Sequence, residues 1–390
     1  MKTVIEKGNV ITPQGIMENG SLLIENGVIK AVSKPVIEIA DAIHIDVNNK
    51  YVSPGFIDLH VHGGGGCDFM DGTTESFLTI AATHLSHGTT AMMPTTLSST
   101  RESIHGILDC YEKARLINSK GAKFLGVHIE GPYFAMAHRG AQDPRYMRNP
   151  DKAEYSEILN RHSCIKRWSV APELEGALEF GKLLASKKII PSIAHTDAVY
   201  SDVEKAVANG YSLVTHLYSA MNGVVRRNAY RYAGTVEAAF LMDELDVEII
   251  ADGKHLPVPL LQLIYKIKGA DKICLITDAM RAAGTDVTQS ILGKIDDGIP
   301  VIIEDDVAKL QDCSSFAGSI ATADRLVRVM WKEAGINLAD VIKMMCTTPA
   351  RIAGVQDSVG SIVTGKNADI VIFDDSVNIE SVFIKGQQMI

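Results

Sequence analysis

Gly55-Phe-Ile-Asp-Leu-His-Val-His62 is a short, mostly apolar run that stops at two histidines spaced i, i+2. Seven runs of the same kind follow, at residues 90–95, 123–132, 165–173, 188–197, 213–218, 246–252 and 272–279. Near-continuous apolar strands are what a parallel sheet covered on both faces requires. Helix-like stretches lie between them, such as 74–87 and 176–186. Another begins at Ser201-Asp-Val-Glu204, where Ser201 is expected as N-cap and Glu204 as its capping-box partner. Eight strand–helix units over about 250 to 300 residues predict an α/β protein with a TIM-like (β/α)8 barrel. The competing architecture, a doubly wound open sheet, wants a glycine-rich phosphate turn after its first strand. Residues 63–66 are glycines, but without the GxGxxG spacing.

Outside these runs the pattern changes. Ser21-Leu-Leu-Ile-Glu-Asn-Gly-Val-Ile-Lys-Ala-Val32 reads as two β runs joined at Asn26-Gly27. That pair suits a type I′ turn, in which both central residues need φ > 0. Ala368-Asp-Ile-Val-Ile-Phe373 and Ile379-Glu-Ser-Val-Phe-Ile384, followed by Gly386, have the same character. Each end is too short to fold alone, so the two are expected to combine into one small β-sandwich. The expected division is 1–53 and 354–390 for the sandwich and 54–353 for the catalytic barrel.

Composition narrows the functions open to the chain. The 390 residues are 46% hydrophobic and 22% charged, which excludes disordered, collagen-like and coiled-coil chains. Lys and Arg number 38 against 47 Asp and Glu, a net charge of -9 with no basic block, so nucleic acid is not an expected partner. A few local arginines can still hold one anionic group. The six cysteines (67, 110, 164, 274, 313 and 346) are scattered, with no CxxC, and read as free thiols of a reducing compartment. No apolar run approaches the length of a membrane span, and Glu6, Lys7 and Gly8 interrupt any signal-peptide core. The expected location is the cytoplasm, with no membrane partner.

The chemistry gathers where the runs end. Run one ends His60-Val-His62, run three His128-Ile-Glu130, run five His195-Thr-Asp197 and run six Thr215-His216. Run seven ends Asp252-Gly-Lys-His255 and run eight Thr277-Asp278. In a (β/α)8 barrel these ends share one mouth, where active sites sit. His-x-His on a strand puts both imidazoles on one side. Alone, such a pair is more often surface or core histidine, and a lone strand-end carboxylate often caps the next loop. Five nitrogen and oxygen donors at one end of separate strands point instead to divalent metal. Glu130, His195 and His216 can hold one ion, and His60 and His62 a second, with Glu130 bridging. Zinc is the first expectation; iron, manganese, cobalt and nickel suit the same donors. A bound ion turns water into hydroxide near neutral pH, and Asp278 is then the natural general base and acid.

The ordered motifs resemble the N-acetylglucosamine-6-phosphate deacetylases of the amidohydrolase superfamily. They are Pro54-Gly-Phe-Ile-Asp-Leu-His-Val-His-Gly63, His128-Ile-Glu-Gly-Pro-Tyr133, Ala194-His-Thr-Asp-Ala198, Thr215-His-Leu-Tyr-Ser-Ala-Met221, Ala251-Asp-Gly-Lys-His255 and Ile276-Thr-Asp-Ala-Met280. Phe316-Ala-Gly-Ser319, Thr348-Pro-Ala-Arg351 and Gly365-Lys-Asn-Ala-Asp-Ile370 extend the resemblance over essentially the whole chain. It implies hydrolysis of an N-acetyl amide on a sugar 6-phosphate, with Glu130, His195 and His216 on the principal metal and Asp278 as acid and base. It implies further that Arg227 binds phosphate and that His255 contacts substrate. Ala141, Gln142, Ser219, Ala220, Phe316, Ala317 and Gly318 fall in sugar-contacting segments. A homodimer is implied too, with the neighbouring subunit helping to hold the phosphate. Dihydroorotases and similar relatives bridge two metals with a carboxylated lysine on strand four; here the lysine of that strand, Lys166, lies near its start.

Two positions depart from the family. Ser219 replaces the asparagine of His-Leu-Tyr-Asn-Ala-Met, and Gln142 stands where some members have histidine. If that histidine polarises the substrate carbonyl, an ion at His60 and His62 can take over the task; full activity of a one-metal His60→Ala form would refute this. The basic, aromatic stretch 226–232 can shift specificity toward the galactosamine epimer. A deaminase or cyclic-amide hydrolase on the same barrel shares the ligand chemistry. A non-catalytic scaffold does not need every ligand position and Asp278 filled.

Overall fold

Each of the eight runs contains a strand: β1 (Phe56–Val61), β2 (Thr89–Pro94), β3 (Val127–Glu130), β4 (Ile165–Val170), β5 (Ile190–Ile193), β6 (Leu213–Val214), β7 (Asp246–Ile249) and β8 (Ile273–Leu275). This computed structural model describes residues 2–34 and 37–390; Met1, Pro35 and Val36 of the N-terminal segment lie outside the described residues. β3 to β8 pair in sequence order as a parallel sheet, and β1 pairs with β2 in parallel. Isolated parallel bridges, Thr95 to His128 and Val61 to Ala279, link the two sets at both seams. The parallel sheet is therefore curled, and the C-terminal ends of its strands face one region. Every residue of β1 and β2 is buried, the burial that their apolar composition calls for.

The third run breaks in two. Lys123–Phe124 pairs with β2, and β3 pairs with β4. Gly126 makes the break at φ 128, where a Cβ would lie 2.1 Å from Cγ of Lys166.

Helices alternate with the strands. α1 (Thr74–Ser86) is capped by the Thr73 hydroxyl and buries Phe77, Ile80, Ala81 and Leu85. α2 (Arg101–Ile117) is capped by Thr100, α3 (Lys152–Arg161) by Asp151, and α4 (Ala177–Ser186) follows β4. α5 corrects the capping expectation: it runs Tyr200–Ala208, so Ser201 lies inside its first turn. The Asp202 carboxylate, not that of Glu204, accepts from the Val199 N–H at 3.3 Å. The cause is tertiary. Val199 bridges to Gly234, and the Tyr200 N–H donates to the Ala233 carbonyl at 2.8 Å, which sets the helix start before any hydroxyl does.

Both chain ends meet in one hydrogen-bonded sheet of eight strands. Lys2–Thr12, Gly15–Glu25, Val28–Ser33, Ile43–Asp46 and Tyr51–Pro54 come from the first end; Ile370–Phe373, Ile379–Ile384 and Gln387–Gln388 from the second. The seam is the antiparallel pairing of Tyr51–Pro54 with Ile370–Phe373. Asn26 and Gly27 turn the second hairpin, between Gly15–Glu25 and Val28–Ser33, with φ 52 and φ 79, as that dipeptide predicts. Two small additions were not anticipated. A hairpin, Val225–Arg227 with Tyr230–Tyr232, follows β6, and a three-stranded antiparallel sheet spanning 289–310 follows β8. The hairpin is exposed and the small sheet half-buried, so neither carries a strong apolar alternation. Among the described residues no helix is long and apolar enough to cross a membrane, and all six cysteines are free.

Candidate metal centre

His60 and His62 alternate to the same side of β1, and their Nε2 atoms lie 3.1 Å apart. Glu130, the last residue of β3, faces both at 3.4 Å. On its other flank Oε1 of Glu130 lies 3.0 Å from His216 Nε2 and 3.5 Å from His195 Nε2. Two triplets result, His60–His62–Glu130 and Glu130–His195–His216, each with its ligand atoms within 4.8 Å of one another and all buried. Four imidazole nitrogens converging on one carboxylate are a donor set that fits divalent transition metal, with Glu130 common to both halves. Asp278 Oδ1 stands 3.1 Å from His62 Nε2 and 3.3 Å from His60 Nε2.

Backbone strain concentrates here. His195, His216 and Asp278 have φ of 45, 30 and 49, in the left-handed region that side chains avoid at a cost of about 1–3 kcal/mol each. Main-chain bonds hold them. The His195 carbonyl accepts from Ala135 N–H at 2.9 Å, the His216 carbonyl from Ser219 at 2.9 Å, and the Asp278 carbonyl from Ser319 at 2.8 Å. The His195 Nδ1–H donates to the His138 carbonyl at 2.9 Å, which keeps its Nε2 turned toward Glu130. Glu173, just past β4, clamps the turn after His195: it accepts from Thr196 Oγ1 at 2.5 Å and from Asp197 N–H at 2.6 Å.

Burial alone would push both carboxyls up. The facing His60 and the hydrogen bonds from His195, His216 and His62 hold Glu130 well below the carboxylate range. His60 and His62 likewise bring Asp278 down to about 2, so both are ionised at neutral pH.

The centre floors a cavity of about 520 Å³, within the usual range for a small-molecule site. Of the residues expected at substrate, Ala141, Gln142, Ser219, Ala220, His255, Phe316 and Gly318 line it. Gln142 donates to Glu130 Oε2 at 2.7 Å and accepts from Ser98 N–H at 2.8 Å, so it braces the carboxylate that the two triplets share. His255 Nδ1 bonds Asp252 at 2.8 Å. Ala317 is fully buried, packed with Met280 and Leu292. Arg227 is not part of the lining: on the exposed hairpin its Nη2 lies 3.9 Å from Asp197.

Sequence reasoning missed Arg139, the one arginine or lysine lining the cavity among the described residues. Its signal was a lone cation before Gly140, in the loop that also carries Ala141 and Gln142. It also missed Arg167 and Glu248, fully buried charges inside the fourth and seventh apolar runs. A charge within such a run was the signal.

A family model described as Amidohydrolase family matches residues 51–389. N-acetylgalactosamine-6-phosphate deacetylase of Escherichia coli O157:H7 is 29% identical over 390 residues, 99% of this chain and 99% of the relative. N-acetylglucosamine-6-phosphate deacetylase of Vibrio furnissii is 32% identical over 365 residues, 93% of this chain and 88% of the relative. The crystal structure of N-acetylglucosamine-6-phosphate deacetylase from Pasteurella multocida superposes with a TM-score of 0.93 at 26% identity, covering 100% of this chain and 99% of that one.

Proposed function

The chain belongs to the amidohydrolase family, and from that membership we propose that it hydrolyses the acetamido group of N-acetylglucosamine 6-phosphate, releasing acetate and glucosamine 6-phosphate. The observation that carries the reading is one cavity with a hydrolytic floor and a cationic wall. Glu130, His62, His195, His216 and Asp278 form the floor, and Arg139 stands on the wall.

His60, His62, Glu130, His195 and His216 would hold one or two divalent ions, zinc first. Such an ion supplies Lewis acidity, polarising an amide carbonyl and making water more acidic. Asp278 accepts a proton from the attacking water and delivers it to the amide nitrogen as the C–N bond breaks. His255, with Nδ1 bound to Asp252, offers its other nitrogen to a sugar hydroxyl. Arg139 faces the phosphate. Arg227, outside the cavity of its own chain, reaches a phosphate in this reading only across a homodimer interface.

The same reading closes the curled sheet into a (β/α)8 barrel, which the two seam bridges support. It keeps 54–353 as the catalytic unit and 1–53 with 354–390 as a separate small β unit. One cluster supports that division: Ile5, Val10, Leu22, Ile24, Ile29, Val47 and Val52 pack with Ile362, Ala368, Ile370, Ile372 and Phe383, all from the two ends. The free cysteines fit a cytoplasmic setting.

The galactosamine epimer is the second reading. It is favoured by the relative named for it at 99% coverage and by Ser219 on the cavity wall. The test is acetate release by metal-loaded protein from both N-acetylhexosamine 6-phosphates and from both unphosphorylated sugars. Turnover of a phosphorylated sugar alone is expected, and the faster epimer names the substrate. Asp278→Asn should lower kcat by about 10²–10⁴-fold with metal content unchanged. Silence on all four substrates would sink the assignment and send the search to cyclic amides and aminated bases.

A further inference from the structure

Beneath the metal centre the interior is polar. Period two along β4 sends Trp168 outward against Tyr133 and Phe180, and turns Arg167 and Ser169 inward. Arg167 is fully buried, and so is its partner on β7, Glu248. Every face of the guanidinium is used. Nε donates to Ser192 Oγ at 2.9 Å, Nη1 to the Leu59 carbonyl at 3.4 Å and to Glu248 Oε1, and Nη2 to Thr215 Oγ1 at 2.8 Å and Glu248 Oε2 at 2.7 Å. The fork leaves Glu248 one further bond: Oε2 accepts the His60 Nδ1–H at 3.4 Å.

That bond decides which nitrogen of His60 carries the hydrogen. With Nδ1 protonated, the Nε2 lone pair points at His62, Glu130 and Asp278. Among the described residues, His60 is the one histidine of the four whose Nδ1 is hydrogen-bonded to a carboxylate. His195 uses the His138 carbonyl, and the Nδ1 atoms of His62 and His216 have no partner among the described residues. The back of the His60 ring rests edge-to-face on His128, at 4.6 Å between ring centres. His128 is itself fixed by Ser169 Oγ at 2.7 Å, and Ser169 by Thr215 Oγ1 at 3.0 Å. A buried ion pair is a poor source of stability, because an apolar pair of equal volume does as well. Its geometry has a better use in aiming a ligand.

We propose that Glu248, held by Arg167, is the positioning residue of His60, so that filling of the His60–His62 half of the centre depends on a carboxylate one layer below it. The proposal rests on the two-ion reading above.

The test loads the full-length protein with Zn²⁺ and counts ions per chain by elemental analysis against buffered free metal. Wild type, Glu248→Gln and the double variant Arg167→Met/Glu248→Met are compared. The double variant removes both charges together, so it keeps the test alive if the single one fails to fold. Two ions are expected in wild type. In both variants the weaker ion loses about 10–100-fold in affinity while the other is unchanged. The apo double variant is expected to melt near the wild-type temperature. In wild-type protein, nitrogen-15 histidine spectra should show His60 hydrogen-bearing at Nδ1. Folded variants that bind both ions as wild type does, both ions weakened equally, or His60 hydrogen-bearing at Nε2 would each overturn the proposal. A wild-type chain that holds one ion refutes the two-ion reading itself, and this assignment with it.

Discussion

Gln142 does two things with one side chain. Its amide N–H braces Glu130, and its carbonyl receives Ser98 N–H, all three residues being buried. Replacing it with a residue of similar shape and no polar atoms leaves a buried N–H without a partner, worth about 1–3 kcal/mol. Gln142→Leu should therefore lower the stability of the metal-free protein by about that amount in a urea titration. An unchanged midpoint would mean that Ser98 finds another acceptor and that the brace is dispensable.

At the scale of elements, α1 is pinned to the turn that follows the histidine pair. His84 Nε2–H donates to the Gly63 carbonyl at 2.9 Å, one residue past His62, while its Nδ1 is buried without a partner among the described residues. Burial, only partly opposed by that carbonyl, brings the imidazole down to about 4. The sign follows from proton counting. Between pH 6.5 and 4 the unfolded chain binds a proton that the folded chain refuses, so this contribution is whole above pH 6.5 and lost as pH falls toward 4. From pH 7 to pH 5 the loss is about 2 kcal/mol. His84→Gln, which keeps an N–H for Gly63 and does not titrate, should show a stability–pH curve flatter by about that much. Parallel curves for the two proteins in denaturant titrations at both pH values would remove His84 as the cause.

The whole molecule depends on joining its two ends to the curled sheet. Asp369 stands at the junction, nearly buried. It accepts from Lys123 Nζ at 3.0 and 2.8 Å and from the Lys385 N–H at 2.7 Å. Lys123 lies beside β2, and Lys385 in the last turn of the terminal sheet. Asp369→Ala strands a backbone N–H and an ammonium, and should cost about 1–3 kcal/mol. Because the large core cluster also takes in Val371, Phe373 and Val382 from the terminal sheet, one cooperative transition is expected. Coincident urea curves by far-ultraviolet circular dichroism and tryptophan fluorescence check this. Two separated transitions would mean that the terminal sheet unfolds independently.

Read residue by residue, the chain by itself determined what local rules govern. Apolar runs of strand length placed eight strands, because burial on both faces shows in composition. Asn26-Gly27 placed a hairpin, because so few residues accept positive φ twice in succession. The candidate metal-binding residues were legible for the same reason: His60, His62, Glu130, His195 and His216 stand at or near the ends of those runs, and parallel strands present their ends together. Tertiary structure decided everything that needs two distant segments at once. Val199 caps α5 two residues before Ser201, because its partner is Gly234. Arg227 sits on a hairpin outside the cavity, and Arg139 takes the wall, because loop paths carry no period to read. Arg167 and Glu248 lie 81 positions apart, and a charge inside an apolar run shows its purpose only when its partner is found. Local propensity acts over a few residues, whereas a buried charge is governed by whatever the fold brings against it.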